Sequence, residues 1–184
     1  MFIETEPTPN PATLKFLPGK AVMDAGTAEF TDAEAARRLS PLAARLFDVK
    51  GISGVYLGPD FISVTKTDGQ GWHQLKPEVL GAIMEHYLSG DPVAHPEARL
   101  PEAGGAEDDE TVKKIKELID TRVRPAVAQD GGDIVFHGFE RGVVYLNLRG
   151  ACSGCPSSVV TLKNGIENLL RYYVPEVAEV RSVA

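Results

Sequence analysis

The chain contains two cysteines, Cys152 and Cys155, and only two residues separate them. The run before them is rich in valine and leucine and predicts a strand, whereas Pro156 after them is typical of the first turn of a helix. The free N–H groups and the positive dipole end of a helix N-terminus favour a thiolate over a thiol. The position therefore predicts two thiols that are ready to act as metal ligands or as nucleophiles.

The residues between the two cysteines are small, Ser153 and Gly154. A loop of this kind is able to fold around a bound centre and to point backbone N–H groups at its sulfur atoms. Gly150 permits a tight exit from the preceding strand. We expect a compact loop with both sulfur atoms near the start of the helix.

Three uses fit such a pair of thiols. Free cysteines are often small buried residues, but a Gly/Ser loop at a helix start is unlike a core. A thiol–disulfide pair is the second use, because thioredoxin-like proteins also place Cys-x-x-Cys between a strand and a helix. The chain after Pro175 is too short for the further strands and helix of that fold. The third use is half of a metal site with four thiolates.

A metal site raises the question of ligand number. Structural zinc and cubane iron–sulfur clusters usually take four protein ligands, and one chain offers two cysteines. The histidines are scattered, and only the last of them falls in the same half of the chain: His73, His86, His95 and His137. For His137 the alternation of a strand favours a surface or half-buried structural role. A second copy of the chain about a two-fold axis would complete the ligand set more simply.

The composition is that of a globular protein with an acidic balance. The 184 residues carry a net charge of −7, which disfavours nucleic-acid binding because clustered Lys and Arg are missing. No apolar run has the length of a membrane span, and the first residues lack the features of a secretory signal. We expect a cytoplasmic protein, or an organelle protein that has already been processed. In such reducing compartments a close cysteine pair favours metal binding or redox chemistry.

The chain divides into two halves at an acidic segment. Residues 89–110 are rich in Pro and Gly and hold seven carboxylates against one arginine, which predicts an extended, mobile linker. The flanking halves, 1–88 and 111–184, each mix helical and strand patterns. We therefore predict the α+β class, with two small mixed domains joined by the linker.

In the first half, short apolar or β-branched runs predict strands at 13–17, 54–57 and 61–65. Residues 58–60, Gly-Pro-Asp, indicate a hairpin turn between the last two strands. Ser40 followed by Pro41 predicts one helix start, and Pro77 predicts another. Trp72 has two interpretations: packing at the edge of its own domain, which we favour, or an anchor for a partner protein.

In the second half, apolar residues spaced by three and four predict a helix over 112–126, with a kink or fresh turn at Pro125. Residues 129–132, Gln-Asp-Gly-Gly, predict its end, with both glycines supplying left-handed backbone. Strands are predicted at 133–138 and 143–149, followed by the cysteine loop. A second helix runs from Pro156 to Pro175, and residues 177–183 predict a last strand.

The residues from 130 to 170, which include Gly-Ala-Cys-Ser-Gly-Cys-Pro at 150–156, closely resemble the C-terminal domain of Nfu-type iron–sulfur cluster proteins. That domain is related to the C-terminal domain of NifU. Residues 8–19, 40–43 and 58–66 resemble the companion N-terminal domain. The resemblance covers nearly the whole chain except the linker, and the cysteine motif with its flanks is specific.

The resemblance implies a scaffold or carrier and not an enzyme. It implies that Cys152 and Cys155 bind a [4Fe–4S] cluster shared between two subunits, so that the cluster-bound form is a homodimer. The partners it implies are an upstream cluster donor and apo iron–sulfur proteins as clients. The two-domain form resembles mitochondrial Nfu proteins and their bacterial relatives, so a processed eukaryotic form would belong to the mitochondrial matrix. A thiol–disulfide oxidoreductase and a dimer held by structural zinc remain the alternatives.

Overall fold

The chain forms two compact units, described here from a computed structural model that covers residues 1–100, 109–153 and 156–183. The first unit ends at Leu100 and the second follows it. Each unit packs helices against one sheet, which confirms the α+β class. Within the described ranges, every helix is too short or too polar to span a membrane.

The first unit contains a five-stranded antiparallel sheet with the order β1-β2-β5-β4-β3. Its strands are β1 (Glu4–Pro7), β2 (Thr13–Leu17), β3 (Ala28–Phe30), β4 (Ile52–Leu57) and β5 (Ile62–Lys66). The predicted strands and hairpin correspond to β2, β4 and β5, with the Gly58 N–H bonded to the Phe61 carbonyl at 2.9 Å. The two edge strands, β1 and β3, were not predicted because they are short and carry acidic residues.

Three helices cover this sheet: α1 (Ala33–Leu39), α2 (Pro41–Phe47) and α3 (Trp72–Ser89). Ser40 caps α2 as predicted, since its hydroxyl accepts from the Ala43 N–H at 3.0 Å. The predicted start of α3 at Pro77 is wrong. The helix begins at Trp72, after Gly71, and Pro77 lies in its interior. Pro77 has no N–H, so it removes one internal hydrogen bond from α3.

The residues after α3 stay in contact with the first unit. The His95 N–H donates to the Leu39 carbonyl and the Leu100 N–H donates to the Thr27 carbonyl, both at 2.8 Å. Ala98 is buried in the core of this unit. The linker predicted over 89–110 is therefore too long at its first end, because apolar packing fixes residues that a polar composition suggested were free. Residues 101–108 lie outside the described part of the chain.

The second unit begins with a helix that changes its winding. It consists of α4 (Glu110–Leu118), a π-helical turn (Ile119–Val123) and α5 (Arg124–Gln129). The expected irregularity at Pro125 takes this form, because the Arg124 N–H reaches back to the Ile119 carbonyl. Pro125 has no N–H to offer the turn before it, and a wider turn relieves the clash of its ring with that turn.

A three-stranded sheet completes the second unit, with β6 (Gly132–Glu140), β7 (Val143–Gly150) and β8 (Glu179–Val183) in that order. β6 and β7 form an antiparallel hairpin through Arg141 and Gly142, both at positive φ. Helix α6 (Pro156–Tyr173) then leads to β8, which runs parallel to β7. The helices pack on the apolar residues of one sheet face, including Ile134 and Leu146. The cysteine loop lies between the end of β7 and the start of α6.

Candidate functional site

The loop after β7 is held by backbone hydrogen bonds. The Ala151 N–H donates to the Gly131 carbonyl at 3.1 Å, which joins the loop to the turn before β6. The N–H groups of Cys152 and Ser153 donate back to the carbonyls of Arg149 and Gly150, at 3.3 and 3.1 Å. In the cluster-free chain the strand carbonyls before them accept from these two N–H groups. That N–H groups of this loop point at the sulfur atoms of a bound centre stays a prediction.

Cys152 is buried, with 6% of its surface exposed, and it packs in the core of the second unit. Burial, together with the nearby carboxylates of Asp130 and Asp133, raises the pKa of its thiol to about 12. The prediction of a thiolate is wrong for Cys152 in the cluster-free chain. Loss of hydration and two nearby negative charges both favour the neutral thiol here. A thiol in this state is a poor nucleophile.

Cys155 and Gly154 lie outside the described residues. The approach of the two sulfur atoms to each other therefore stays a prediction. The structure does place Cys152 within the loop that leads to α6, directly after a strand, as the sequence predicted.

Sequence reasoning missed the charged residues around the sulfur of Cys152. Asp133, 5% exposed, accepts from Nε and Nη2 of Arg124 at 2.9 and 3.0 Å. Arg124 also lies 3.3 Å from the carboxylate of Asp120, and the hydrogen bonds that its guanidinium donates to Asp133 raise the pKa of that guanidinium. The signal in the sequence was the motif Asp-Gly-Gly-Asp at 130–133, whose first three residues predicted only a helix end and whose last predicted only a strand start.

The histidines lie apart from Cys152 in the chain. His137 occupies an irregularity in the pairing of β6 and is exposed, as expected for a surface role. His73 and His95 are exposed in the first unit, whereas His86 is completely buried there. Over the described ranges, no three His, Cys, Asp or Glu side chains gather in a way that would hold a metal ion.

Trp72, the candidate anchor for a partner, packs within the first unit. Its indole N–H donates to the Pro11 carbonyl at 3.2 Å, and its ring packs against the Phe16 ring in an edge-type arrangement with 6.4 Å between the centroids. These contacts favour packing over partner recognition, because the polar tip of the indole already has an intramolecular acceptor.

Two family models match the chain. The model described as scaffold protein Nfu/NifU N terminal matches residues 3–90, and the NifU-like domain matches residues 115–181. Together they match the greater part of each unit and leave residues 91–114, which include most of the predicted linker, unmatched.

Curated relatives match along the whole chain. The human protein named NFU1 iron-sulfur cluster scaffold homolog, mitochondrial, is 52% identical over 184 residues, which are 100% of this chain and 72% of that protein. The protein of the same name from Drosophila erecta is 52% identical over 185 residues, covering 100% of this chain. The chain spans 65% of the fly protein, less than two thirds of its length.

A solved structure, that of a NifU-like protein from Saccharomyces cerevisiae, is 24% identical to this chain. The match covers 52% of this chain and 86% of the yeast one, with a TM-score of 0.47. The family assignment comes from the family models and the curated relatives. By these two comparisons, the chain belongs to the Nfu family and combines an Nfu-type N-terminal domain with a NifU-like C-terminal domain.

Proposed function

We propose that this chain is an iron–sulfur cluster scaffold that carries a [4Fe–4S] cluster as cargo and delivers it to apo-proteins. The cluster is held between two subunits by Cys152 and Cys155 of each. The observation that carries the proposal is the Cys-x-x-Cys motif between β7 and α6, in a chain whose relatives are named as iron–sulfur cluster scaffolds. Thiolate sulfur is the usual protein ligand of such clusters.

The number of thiols supports a shared site. A cubane cluster takes four thiolates, and each chain has two cysteines. A dimer with two-fold symmetry brings two identical loops together and completes the set. A centre held by so little protein from each side suits a cargo that has to leave.

Delivery is a ligand exchange and requires no catalytic residue. A client thiolate forms a new bond to iron while the bond from Cys152 or Cys155 to the same iron breaks. The departing thiolate takes up a proton, and the client thiol has lost one, so neither electrons nor net protons are exchanged. Because the ligands bind as thiolates, loading the cluster releases protons.

The two units have separate tasks in this proposal. The NifU-like unit holds the cluster, and the N-terminal unit, which contains no cysteine, supports recognition of partners. Joined by a linker over part of residues 89–110, the units act at a high effective concentration on a bound client. The partners are an upstream cluster donor and apo iron–sulfur proteins.

We place the carrier in a bacterial cytoplasm, or in the mitochondrial matrix if the chain is the processed form of a eukaryotic protein. The relatives named as mitochondrial support the second setting. Both compartments are reducing, which keeps the two thiols free for metal binding.

Anaerobic reconstitution with iron and sulfide tests the proposal. We expect broad visible absorption, about four irons per two chains, and a shift from a smaller species to a dimer on loading. The variants Cys152→Ser and Cys155→Ser should each lose the cluster. The matched control His137→Ala changes the one histidine of the same unit and should keep it.

The alternatives give different results in the same experiment. A colourless protein that retains zinc and rejects iron would point to a structural-zinc dimer. Reduction of a model disulfide at a useful rate, with no cluster bound, would point to a thiol–disulfide oxidoreductase. Cluster binding that survives in both serine variants would overturn the ligand assignment.

A further inference from the structure

The motif Asp-Gly-Gly-Asp contains two glycines that are required for different reasons. Gly131 has φ +77°, a left-handed conformation that ends α5 and favours glycine. Gly132, the first residue of β6, lies outside the left-handed region. Its backbone conformation is therefore open to any residue. The reason for a glycine at position 132 has to be space.

The space beside Gly132 is filled by Cys152. A Cβ on Gly132 would lie well inside 3.0 Å of the Cys152 sulfur, a separation that real Cβ atoms essentially never show. The same Cβ would lie 2.9 Å from the Cys152 nitrogen and 3.1 Å from the Arg149 carbonyl oxygen. The sulfur thus rests directly against the bare backbone of Gly132.

The register of the sheet creates this contact. Gly132 pairs with Gly150 across β6 and β7, and the loop of Cys152 begins just beyond that pair. The hydrogen bond from the Ala151 N–H to the Gly131 carbonyl draws the loop over the two glycines. With the loop fixed at this point, the Cys152 side chain turns inward and is 6% exposed.

We propose that Gly132 is a positioning residue that forms a seat for the sulfur of Cys152 and holds it inward in the cluster-free chain. The seat shields the thiol from solvent and from oxidants until a cluster is loaded. The role of the seat in cluster loading rests on the proposed function. To bond iron that is shared with a second chain, the sulfur of Cys152 has to leave the seat and turn outward. The seat itself belongs to the cluster-free protein.

Alkylation of the cluster-free chain tests the seat without a cluster. In a Cys155→Ser background, Cys152 is the only thiol, and its reaction with iodoacetamide is followed by mass spectrometry under native conditions. Gly132→Ala should expose the sulfur and accelerate alkylation by about tenfold or more, since thiol reactivity follows exposure. The matched control is Gly138→Ala in the same strand, where an added Cβ meets nothing within 4 Å. Its alkylation rate should equal that of the parent.

A second measurement separates the sulfur from the neighbouring backbone atoms. Gly132→Ala should lower the Tm, and the same change should lower it much less when Cys152→Ala has removed the sulfur. If Gly132→Ala does not fold, the double variant Gly132→Ala/Cys152→Ala should fold again, and this recovery would also support the seat.

Two results would overturn the seat. One is an alkylation rate that Gly132→Ala leaves unchanged. The other is an equal loss of Tm, or of folding, with and without the sulfur, which would mean that Gly132 serves only the backbone. Neither result depends on cluster binding, and loss of cluster binding in reconstitution would count against the proposed function alone.

Discussion

The guanidinium of Arg124 and the carboxylate of Asp133 form a two-point ion pair, with Nε 2.9 Å from Oδ1 and Nη2 3.0 Å from Oδ2. Asp133 also accepts from the Ile134 N–H at 2.8 Å. Arg124 begins α5 and Asp133 lies near the start of β6, so the pair fixes the helix to the strand beside the seat of Cys152. The carboxylate is almost wholly buried. The two hydrogen bonds from the arginine replace much of the hydration that the carboxylate has lost.

We expect Arg124→Met to lower the free energy of unfolding by about 2 kcal/mol, because a buried carboxylate loses its charged partner. Urea unfolding followed by circular dichroism measures the change. Asp120→Asn is the matched control, since Asp120 contacts the same guanidinium at 3.3 Å but is well exposed. It should cost less than about 1 kcal/mol. Equal losses of unfolding free energy in the two variants would contradict a larger contribution from the buried Arg124–Asp133 pair than from the exposed Arg124–Asp120 pair.

A second prediction concerns Ser40, which is completely buried and serves two elements. Its hydroxyl accepts from the Ala43 N–H and donates to the Val93 carbonyl at 2.6 Å. Ser40→Ala should lower the free energy of unfolding by about 1–3 kcal/mol and loosen residues 91–100. Faster hydrogen exchange at the amides of His95 and Leu100 would report the loosening.

The control for Ser40 is Asp32→Ala, which removes a similar but exposed cap from α1. It should cost about 1 kcal/mol and leave exchange at the His95 and Leu100 amides unchanged. Parental exchange rates at these two amides in Ser40→Ala would show that other contacts hold the segment.

The local features of the first unit were predictable from short stretches of sequence. The turn at residues 58–60 and the β-branched runs beside it identify the hairpin of β4 and β5, since both signals lie within about a dozen residues. The edge strands were not predictable in this way. Glu4 and Glu6 read as polar surface, and their place in β1 depends on pairing with β2.

The same limit applies to the candidate site. Its position between a strand and a helix follows from the spacing of the cysteines and from Pro156. The burial of Cys152 against Gly132 does not, because it arises from the register of β6 and β7 and not from the residues near the motif. A helix start alone predicts a thiolate, whereas burial and the carboxylates of Asp130 and Asp133 favour a thiol.

A third prediction separates the two interpretations of Trp72. Trp72→Phe keeps an aromatic ring beside Phe16 but loses the hydrogen bond to the Pro11 carbonyl. We expect a loss of about 1 kcal/mol in the free energy of unfolding and unchanged activation of an apo iron–sulfur protein by the loaded carrier. Unchanged stability with slower activation of the client would instead indicate a docking anchor.

The control for Trp72→Phe is Leu88→Ala, which changes an apolar residue of the same helix that is 86% exposed. It should leave the stability of the first unit within about 0.5 kcal/mol of the parent. Together the two variants distinguish a packed aromatic residue from an exposed apolar one.

The last prediction concerns His86, which is completely buried on α3. Within the described part of the chain, neither of its ring nitrogens has a hydrogen-bond partner. Burial lowers the pKa of His86, the positive charge of Arg45 lowers it further, and Asp91 opposes the shift. The folded chain therefore keeps this imidazole neutral at a pH where the unfolded chain begins to protonate it.

We expect the first unit to lose stability as the pH falls below about 6.5, because the unfolded state then binds a proton that the folded state resists. The stabilisation is complete above that pH and declines as the pH approaches the lowered pKa of His86. His86→Phe should reduce the pH dependence of urea unfolding between about pH 7.5 and about pH 5.5, since Phe does not titrate. The exposed His73→Gln should keep the parental dependence. A full parental dependence in His86→Phe would place its origin elsewhere.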